Sequence, residues 1–167
     1  CIIEHLEIPN TLQYVGKGAF ADCLYIKTVT IPGSVEKLSE NMFQDCVQLE
    51  TVILEKGVEV IGKATFSGCK KLYSVTIANS VDEIKETAFK DCIGLMMITI
   101  PGSVEKIGNG AFQGCNALNS VTLENGIKTI GKYAFSACKM LPSIELPASV
   151  ELIDENAFAS CSSLKSI

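Results

Sequence analysis

A 23-residue motif recurs along the whole chain without insertion or deletion, and this repeat constrains the fold more than any other feature. Phenylalanine occurs at only one position of the motif, and a cysteine follows it three residues later in every repeat. The phenylalanines are Phe20, Phe43, Phe66, Phe89, Phe112, Phe135 and Phe158. Such a period is the signature of a solenoid, in which each repeat forms one coil and buries its apolar face against its neighbours.

Each repeat contains a short segment in which apolar and polar residues alternate. Val29 and Ile31 flank Thr30, for example, and Pro32 follows directly. Alternation with β-branched residues predicts a strand with one buried and one exposed face, and proline ends it because its nitrogen carries no proton to donate. Every coil re-enters the sheet in the same direction, so we expect parallel strands.

The rest of the repeat carries a second apolar pair, a glycine and the motif Ala-Phe-x-x-Cys. Val104 and Ile107 form such a pair, and Gly108 permits the next bend. The three-residue spacing between Phe and Cys predicts one turn of α- or 3₁₀-helix. We therefore predict a single domain over residues 1–167. It would stack about seven coils, with parallel strands on one face and short strands or helical turns on the other.

The repeat resembles a known family. Residues 100–115 read Ile-Pro-Gly-Ser-Val-Glu-Lys-Ile-Gly-Asn-Gly-Ala-Phe-Gln-Gly-Cys, which is similar to the BspA-type (Treponema pallidum-like) leucine-rich repeats. Ser103 or Gly126 stands where common leucine-rich repeats carry an asparagine ladder, while Asp154 and Glu55 replace a usual glycine and proline. The resemblance implies a right-handed leucine-rich-repeat solenoid. It also implies a surface-exposed or secreted protein of a host-associated microbe, with adhesion as the family theme and no catalytic residues.

The chain opens on Cys1 without a methionine and stops at Ile167, inside a strand motif. We therefore expect a fragment of a longer protein. No run approaches the roughly 20 apolar residues of a membrane-spanning helix. Contact with a membrane would then depend on anchors outside this chain.

The charge distribution argues against nucleic acid as a partner. Acidic residues number 19 against 14 lysines and arginines, which gives a net charge of -5. The longest basic run is Lys70-Lys71. Binding to a phosphate backbone needs a clustered basic surface, which this sequence lacks.

The cysteines are the most conspicuous chemical groups, and their spacing favours a structural role. Zinc sites draw ligands from close pairs such as Cys-x-x-Cys, whereas successive ladder cysteines such as Cys69 and Cys92 are a full repeat apart. Residues in register on neighbouring coils are about 4.8 Å apart, and a disulfide needs sulfurs at about 2.05 Å. We predict buried free thiols. Cys1 aligns outside the ladder, and its reactivity is left open.

Other catalytic groups are sparse. The only histidine, His5, lies in the incomplete first repeat. Carboxylates recur once per repeat on the predicted solvated turn, at Glu36, Glu59, Asp82, Glu105 and Glu151. No nucleophile stands with a base, and no phosphate-binding frame is present. We expect no catalytic, cofactor-binding or metal-binding residues, and therefore no enzyme.

The outward face of the strands is the expected binding surface, as it is in many solenoids. Most of its positions are small and hydroxylated, but Ile53, Tyr73, Met96 and Met97 form an apolar island. Met and Tyr are favoured at interface cores, so we predict a binding patch for a protein here. Neutral variation, or contact with a flanking region, would explain the same residues.

The sequence therefore predicts a non-catalytic adhesion module that recognises a protein or glycan, with host extracellular matrix as one candidate partner. The alternative is a structural spacer, or a targeting arm attached to a separate catalytic domain.

Overall fold

The computed structural model describes residues 3–167 and contains β-strands and turns but no helix in that range. The strands are β1 (His5–Glu7), β2 (Thr28–Ile31), β3 (Thr51–Leu54), β4 (Val60–Ile61), β5 (Ser74–Thr76), β6 (Glu83–Ile84), β7 (Met97–Ile100), β8 (Lys106–Ile107), β9 (Ser120–Leu123), β10 (Thr129–Ile130) and β11 (Leu152–Ile153). In this part of the chain, six coils contribute a longer strand to a first side of the stack, and five contribute a two-residue strand to a second. The predicted solenoid with parallel strands is confirmed.

The longer strands form the first side, in the order β1-β2-β3-β5 and then β7-β9. Pairing is parallel and shifts by one repeat, so Val29 lies opposite Val52 and Val52 opposite Val75. Along β2 and β7 exposed and buried residues alternate, as the β-branched pattern predicts. Pro32 and Pro101 follow β2 and β7 and end them.

The two-residue strands form a continuous second side in the order β4-β6-β8-β10-β11. Four of these strands turn an isoleucine inward, and Ile61, Ile84, Ile107 and Ile130 are fully buried. Ile153 of β11, at the end of the stack, is 41% exposed. These isoleucines belong to the second apolar pair of the repeat, so the sequence locates this side correctly.

The segment around each phenylalanine forms the third side, and its local geometry differs from the expected helical turn. The N–H of Cys92 donates to the C=O of Phe89 within the coil, but the N–H of Phe89 donates to the C=O of Ala111 in the next coil. Thr87 and Asp91 have positive φ angles of 55° and 58°. Left-handed residues and donors aimed at the next coil both prevent a helix from propagating.

The phenylalanines form one continuous stack through the core. Neighbouring ring centroids are 5.2 to 5.7 Å apart over all six pairs from Phe20 to Phe158. Five of the rings are completely buried, and the two at the ends are half-buried. Offset stacking adds to the burial of the rings, so this ladder is the main apolar link between coils.

Serine and glycine share the turn that follows the longer strand. The hydroxyl of Ser149 donates to the C=O of Ile127 at 2.8 Å and accepts from the N–H of Gly126 at 2.8 Å. At Gly126 φ is +131°, and a Cβ atom would lie 1.9 Å from the C=O of Gly102. Only glycine fits there. Serine elsewhere bonds the preceding coil, as Ser103 does to the C=O of Val81 at 2.7 Å.

A column of alternating charge runs along the outside of the stack, and sequence reasoning missed it. Its members, spaced by 23 residues, are Lys17, Glu40, Lys63, Glu86, Asn109, Lys132 and Glu155. The Nζ atoms of Lys17 and Lys63 lie 2.9 and 3.1 Å from carboxylate oxygens of Glu40 and Glu86. Applying the repeat period to charged residues as well as apolar ones would have found it.

Candidate functional site

The outward face of the first side is mostly hydroxylated, as predicted. Its exposed or half-exposed positions on the longer strands are Thr28, Thr30, Thr51, Ile53, Ser74, Thr76, Met97, Thr99, Ser120 and Thr122. The apolar residues therefore stand out on an otherwise uniform surface.

The first side is interrupted between β5 and β7. In neighbouring coils the N–H of Ser74 donates to the C=O of Glu50, and that of Ser120 donates to the C=O of Met96. The corresponding groups at the interruption are the N–H of Met97 and the C=O of Tyr73, and no backbone hydrogen bond joins them. The gap is confined to this side, because β6 and β8 of the same coils pair normally.

A groove of about 580 Å³ lies over this interruption. It is lined by Tyr73, Ser74, Val75, Thr76, Ile77, Asn79, Met96, Met97, Ile98, Thr99, Pro101, Ser120, Thr122 and Glu124. Val75, an inward residue of β5, is only half-buried here, whereas its counterparts Val29 and Val52 are 2% and 0% exposed. The open ladder therefore exposes apolar core surface at the floor of the groove.

Three of the four patch residues predicted from sequence line this groove. Tyr73, Met96 and Met97 are 49%, 48% and 62% exposed, and they flank the interruption from both coils. Ile53 is exposed too, but it pairs with Thr30 and Thr76 on the uninterrupted strands and lies outside the groove lining. A groove requires the break between strands, which residue type alone does not reveal.

Glu124 is the one charged residue that lines the groove. Its carboxylate accepts a hydrogen bond from the N–H of Gly102 at 3.1 Å, which holds it next to the end of β7. Glu50 precedes Tyr73 by one coil, and its C=O accepts from the N–H of Tyr73 at 3.1 Å. A carboxylate thus lines the groove on the side of β9, and on the other side Glu50 occupies the coil next to Tyr73, between Tyr73 and Lys27.

A local change in the chain path precedes the interruption. The N–H of Ile93 donates to the C=O of Asp91 at 2.9 Å, a tight three-residue turn that no other repeat makes within residues 3–167. Gly94 follows this turn, and a Cβ atom there would lie 2.7 Å from the C=O of Lys70. This turn lies just before β7, in the coil at which the first side is interrupted.

A second, smaller interruption follows β9. Pro142 occupies the position of Asn119 in the preceding coil, whose N–H donates to Met96, and proline has no N–H to donate. The N–H of Ser143 likewise makes no bond to the C=O of Asn119. A groove of about 260 Å³ opens there, and Val121 at its floor is half-buried.

The cysteines form a ladder of thiols that hydrogen-bond between coils. From Cys46 onward, each Sγ atom donates to the C=O of the phenylalanine 26 residues earlier, as Cys92 does to Phe66 at 3.1 Å. The other donors are Cys46, Cys69, Cys115, Cys138 and Cys161, at distances from 3.0 to 3.4 Å. This bond is a physical reason for cysteine, instead of alanine or valine, at a buried position.

Burial makes these thiols poor nucleophiles. Desolvation raises the pKa of the Cys46 and Cys138 thiols to about 12 and raises the pKa of Cys92 well above its usual value. A thiolate is the reactive form, so little of it exists at neutral pH. The predicted burial of the ladder is confirmed, except that Cys161 is half-buried at the end of the stack. Cys1 lies outside the described residues.

The remaining titratable groups are dispersed. The five turn carboxylates of the sequence prediction are all exposed, and Lys128 interrupts their column by pairing with Glu105 at 3.0 Å. His5 is exposed on β1. Among residues 3–167 no group of three or more His, Cys, Asp and Glu side chains is arranged to hold a metal ion. The same range contains no helix that is long and apolar enough to cross a lipid bilayer.

Several solved structures are similar to this chain. A leucine-rich repeat protein from Bacteroides ovatus is 36% identical, with a TM-score of 0.84 over 91% of this chain and 39% of its own. A leucine-rich cell surface protein from Faecalibacterium prausnitzii is 33% identical, with a TM-score of 0.80 over 91% of this chain and 42% of its own. The leucine-rich repeat protein of T. pallidum is 33% identical, with a TM-score of 0.79 over 83% of this chain and 67% of its own.

The chain thus spans about two fifths of the length of the first two of these proteins. A comparison with curated protein sequences finds no match. The family model for the BspA-type leucine-rich repeat region matches six copies over residues 1–118 and 82–167. With its stacked 23-residue coils, the chain belongs to the BspA-type leucine-rich repeat family.

Proposed function

We propose that this chain is a recognition module of a cell-surface or secreted protein, and that it binds a protein or glycan through the outward face of its longer strands. Family membership supports a binding module, since proteins built from these repeats are generally non-catalytic. A similar chain from Faecalibacterium prausnitzii is a cell surface protein. Adhesion to host extracellular matrix is the form of binding that we would test first.

The groove between β5 and β7 is the observation that carries this proposal. It combines exposed Met and Tyr side chains, which are favoured at interface cores, with a hydroxylated surround. The coils behind it are held in place by the phenylalanine stack and the second side. A rigid scaffold lowers the entropy lost when the surface is bound, so a small patch can bind productively.

The test is direct binding of the 167-residue chain to a panel of immobilised matrix proteins and glycans. The triple variant Tyr73→Ser/Met96→Ser/Met97→Ser should lose at least about tenfold in affinity, because central aromatic and Met contacts dominate interface energy. A matched control is Leu24→Ser/Tyr25→Ser/Met140→Ser, which removes equally exposed apolar side chains elsewhere. Saturable binding unaffected by the first variant would argue against the sheet face.

Failure of the chain to bind any member of the panel would favour the alternative, a spacer or targeting arm. The uniform Thr and Ser columns on the other longer strands fit that role, since they vary little from coil to coil.

A further inference from the structure

The interruption between β5 and β7 leaves backbone groups without the partners that their counterparts have. The N–H of Met97 and the C=O of Tyr73 make no bond across the gap, and neither do the facing groups of Val75 and Thr99. All four residues line the groove. An extended peptide carries backbone donors and acceptors at strand spacing, so it can satisfy groups of this kind.

The side chains around the gap favour an apolar residue on that peptide. Met96 and Met97 are flexible and polarizable, and Met-lined surfaces adapt to apolar side chains of different shape. Tyr73 on the opposite coil adds an aromatic edge, and half-buried Val75 forms an apolar floor. Water contacts apolar surface here that is covered at the same position in β2 and β3.

The charges around the groove favour a basic neighbour for that apolar residue. Glu124 lines the groove, and Glu50 adjoins Tyr73 on the other side. The lining contains no lysine or arginine. A cationic side chain would therefore be attracted and an anionic one repelled, within about a Debye length of 8 to 10 Å at moderate salt.

We propose that the groove between β5 and β7 binds an extended segment of a protein partner that presents an apolar side chain next to a basic one. This inference rests on the proposed function and specifies its partner: a peptide chain, not a glycan. The backbone of the segment bonds groups left free by the interruption, its apolar side chain contacts Met96, Met97 and Tyr73, and its cation lies near Glu124 or Glu50.

The experiment uses three sets of capped hexapeptides with Leu, Phe or Met at the centre, flanked by Lys in one set, Ser in the second and Glu in the third. Binding to the 167-residue chain is followed by amide chemical-shift changes and by titration. We expect the Lys set to bind most tightly and the Glu set least, with the largest shifts at Met97 and Thr99. Methylating the backbone nitrogens of the best peptide should weaken its binding.

Variants of the chain separate the contribution of the apolar side chains to peptide affinity from that of the carboxylates to charge preference. Tyr73→Ser/Met96→Ser/Met97→Ser should weaken all binding peptides by at least about tenfold. Glu124→Gln and Glu50→Gln should each reduce the preference for Lys over Glu about two- to fivefold, the range of an exposed ion pair. The control Leu24→Ser/Tyr25→Ser/Met140→Ser should leave both the peptide affinity and the preference for Lys over Glu unchanged.

Equal binding of the Lys and Glu sets would overturn the inference, as would the lack of shifts at Met97 and Thr99 with every set at millimolar peptide. A third outcome separates the two proposals: no peptide binds, but a glycan from the panel does, and the first triple variant abolishes glycan binding. The proposed function would then stand, and the peptide partner would be wrong. If neither peptides nor panel members bind, both fall.

Discussion

Of the two strand-bearing sides of this solenoid, the side with the shorter strands has the more continuous pairing. The second side is built from strands of only two residues, yet it pairs without a gap from β4 to β11. The first side has strands of up to four residues and is interrupted twice, after β5 and after β9. Strand length therefore does not determine where this stack holds together.

The difference follows from the other contacts that hold neighbouring coils together. Between the coils of β5 and β7, the phenylalanine stack continues from Phe89 to Phe112 at 5.2 Å, and the short strands stay paired. The third side also joins these two coils, since the N–H of Phe89 donates to the C=O of Ala111. The first side can open because these other contacts carry the stack. Because the first side is not needed at this point to hold the coils together, its residues can vary and form a binding surface.

The largest effect should come from the stack itself. Phe89→Ala, beside the first interruption, should lower the free energy of unfolding by about 3 to 5 kcal/mol, because it opens a cavity between two rings. Phe112→Ala, between the paired strands β7 and β9, should be equally damaging in denaturant melts, while half-buried Phe158→Ala should lose less. A loss below about 1 kcal/mol at Phe89 would refute a stacked core.

Hydrogen exchange should show the two sides behaving differently within one coil. The amide of Met97, which has no partner across the gap, should exchange about 100-fold or more faster than that of Ser120, which donates to Met96. The amide of Gly108, bonded to the C=O of Ile84 on the second side, should also be slow. Equal protection of Met97 and Ser120 would mean that the first side is closed in solution.

Alkaline pH should weaken the stack through its thiols. Burial raises the pKa of the ladder thiols, so the folded state keeps protons that the unfolded state loses above pH 9.0, the ordinary thiol value. Stability should therefore be full below pH 9.0 and fall as pH rises towards about 12, the pKa of Cys46 and Cys138.

Cys92→Ser isolates this effect, because serine can still donate to the C=O of Phe66 and does not titrate in this range. Between pH 8 and 10 the variant should lose about 1.4 kcal/mol less than the unsubstituted chain. An identical pH dependence in denaturant melts would show that Cys92 is not buried as a thiol.

A smaller effect is expected at the second interruption. Pro142→Asn restores an N–H opposite the C=O of Asn119 and should slow exchange of the Ser143 amide. Stability should change by less than about 1 kcal/mol, because the gained hydrogen bond is offset by the lost rigidity of proline. Pro147→Asn, in the following turn, serves as the control and should leave Ser143 unchanged.

The smallest effect concerns the outer charge column. Lys63→Glu places a third carboxylate between Glu40 and Glu86, so stability should fall slightly at low salt and recover at about 1 M salt, where the Debye length is about 3 Å. Lys70→Glu makes the same change of charge at an exposed lysine that forms no ion pair among residues 3–167. Equal thermal melts for both variants would show that the column contributes nothing.

The sequence predicts the core well because the core is periodic. Phe, Cys and the apolar pairs recur every 23 residues, and their side chains lie where that period places them. The local turn around Phe89 is less predictable. Three-residue spacing fits a helix equally well. The left-handed angles at Thr87 and Asp91, and the bond from the N–H of Phe89 to the next coil, exclude one.

The binding groove is harder to predict because it depends on departures from the repeat. Pro142 accounts for the second interruption from chemistry alone, since a missing N–H can be read in the sequence. The first interruption follows the tight turn at Ile93, and one glycine, Gly94, is the only hint of it in the sequence. Residue types identify Tyr73, Met96 and Met97 as exposed, but the gap between them is a property of backbone paths.

The alternating charge column has a consequence for how near-identical coils find their correct neighbours. If one coil were skipped during folding, the phenylalanines would still stack, but like charges could meet. Skipping the coil of Glu40 would bring Lys17 to Lys63, and skipping the coil of Lys63 would bring Glu40 to Glu86. The charges of the column therefore favour the correct order of coils, because correct neighbours attract one another and several incorrect neighbours repel.

The column discriminates least around neutral Asn109, because omission of an adjacent coil would bring Lys63 or Glu155 to Asn109 without repulsion. Omission of the Asn109 coil itself would bring Glu86 to Lys132, an attractive pair, so misassembled chains should preferentially skip that coil.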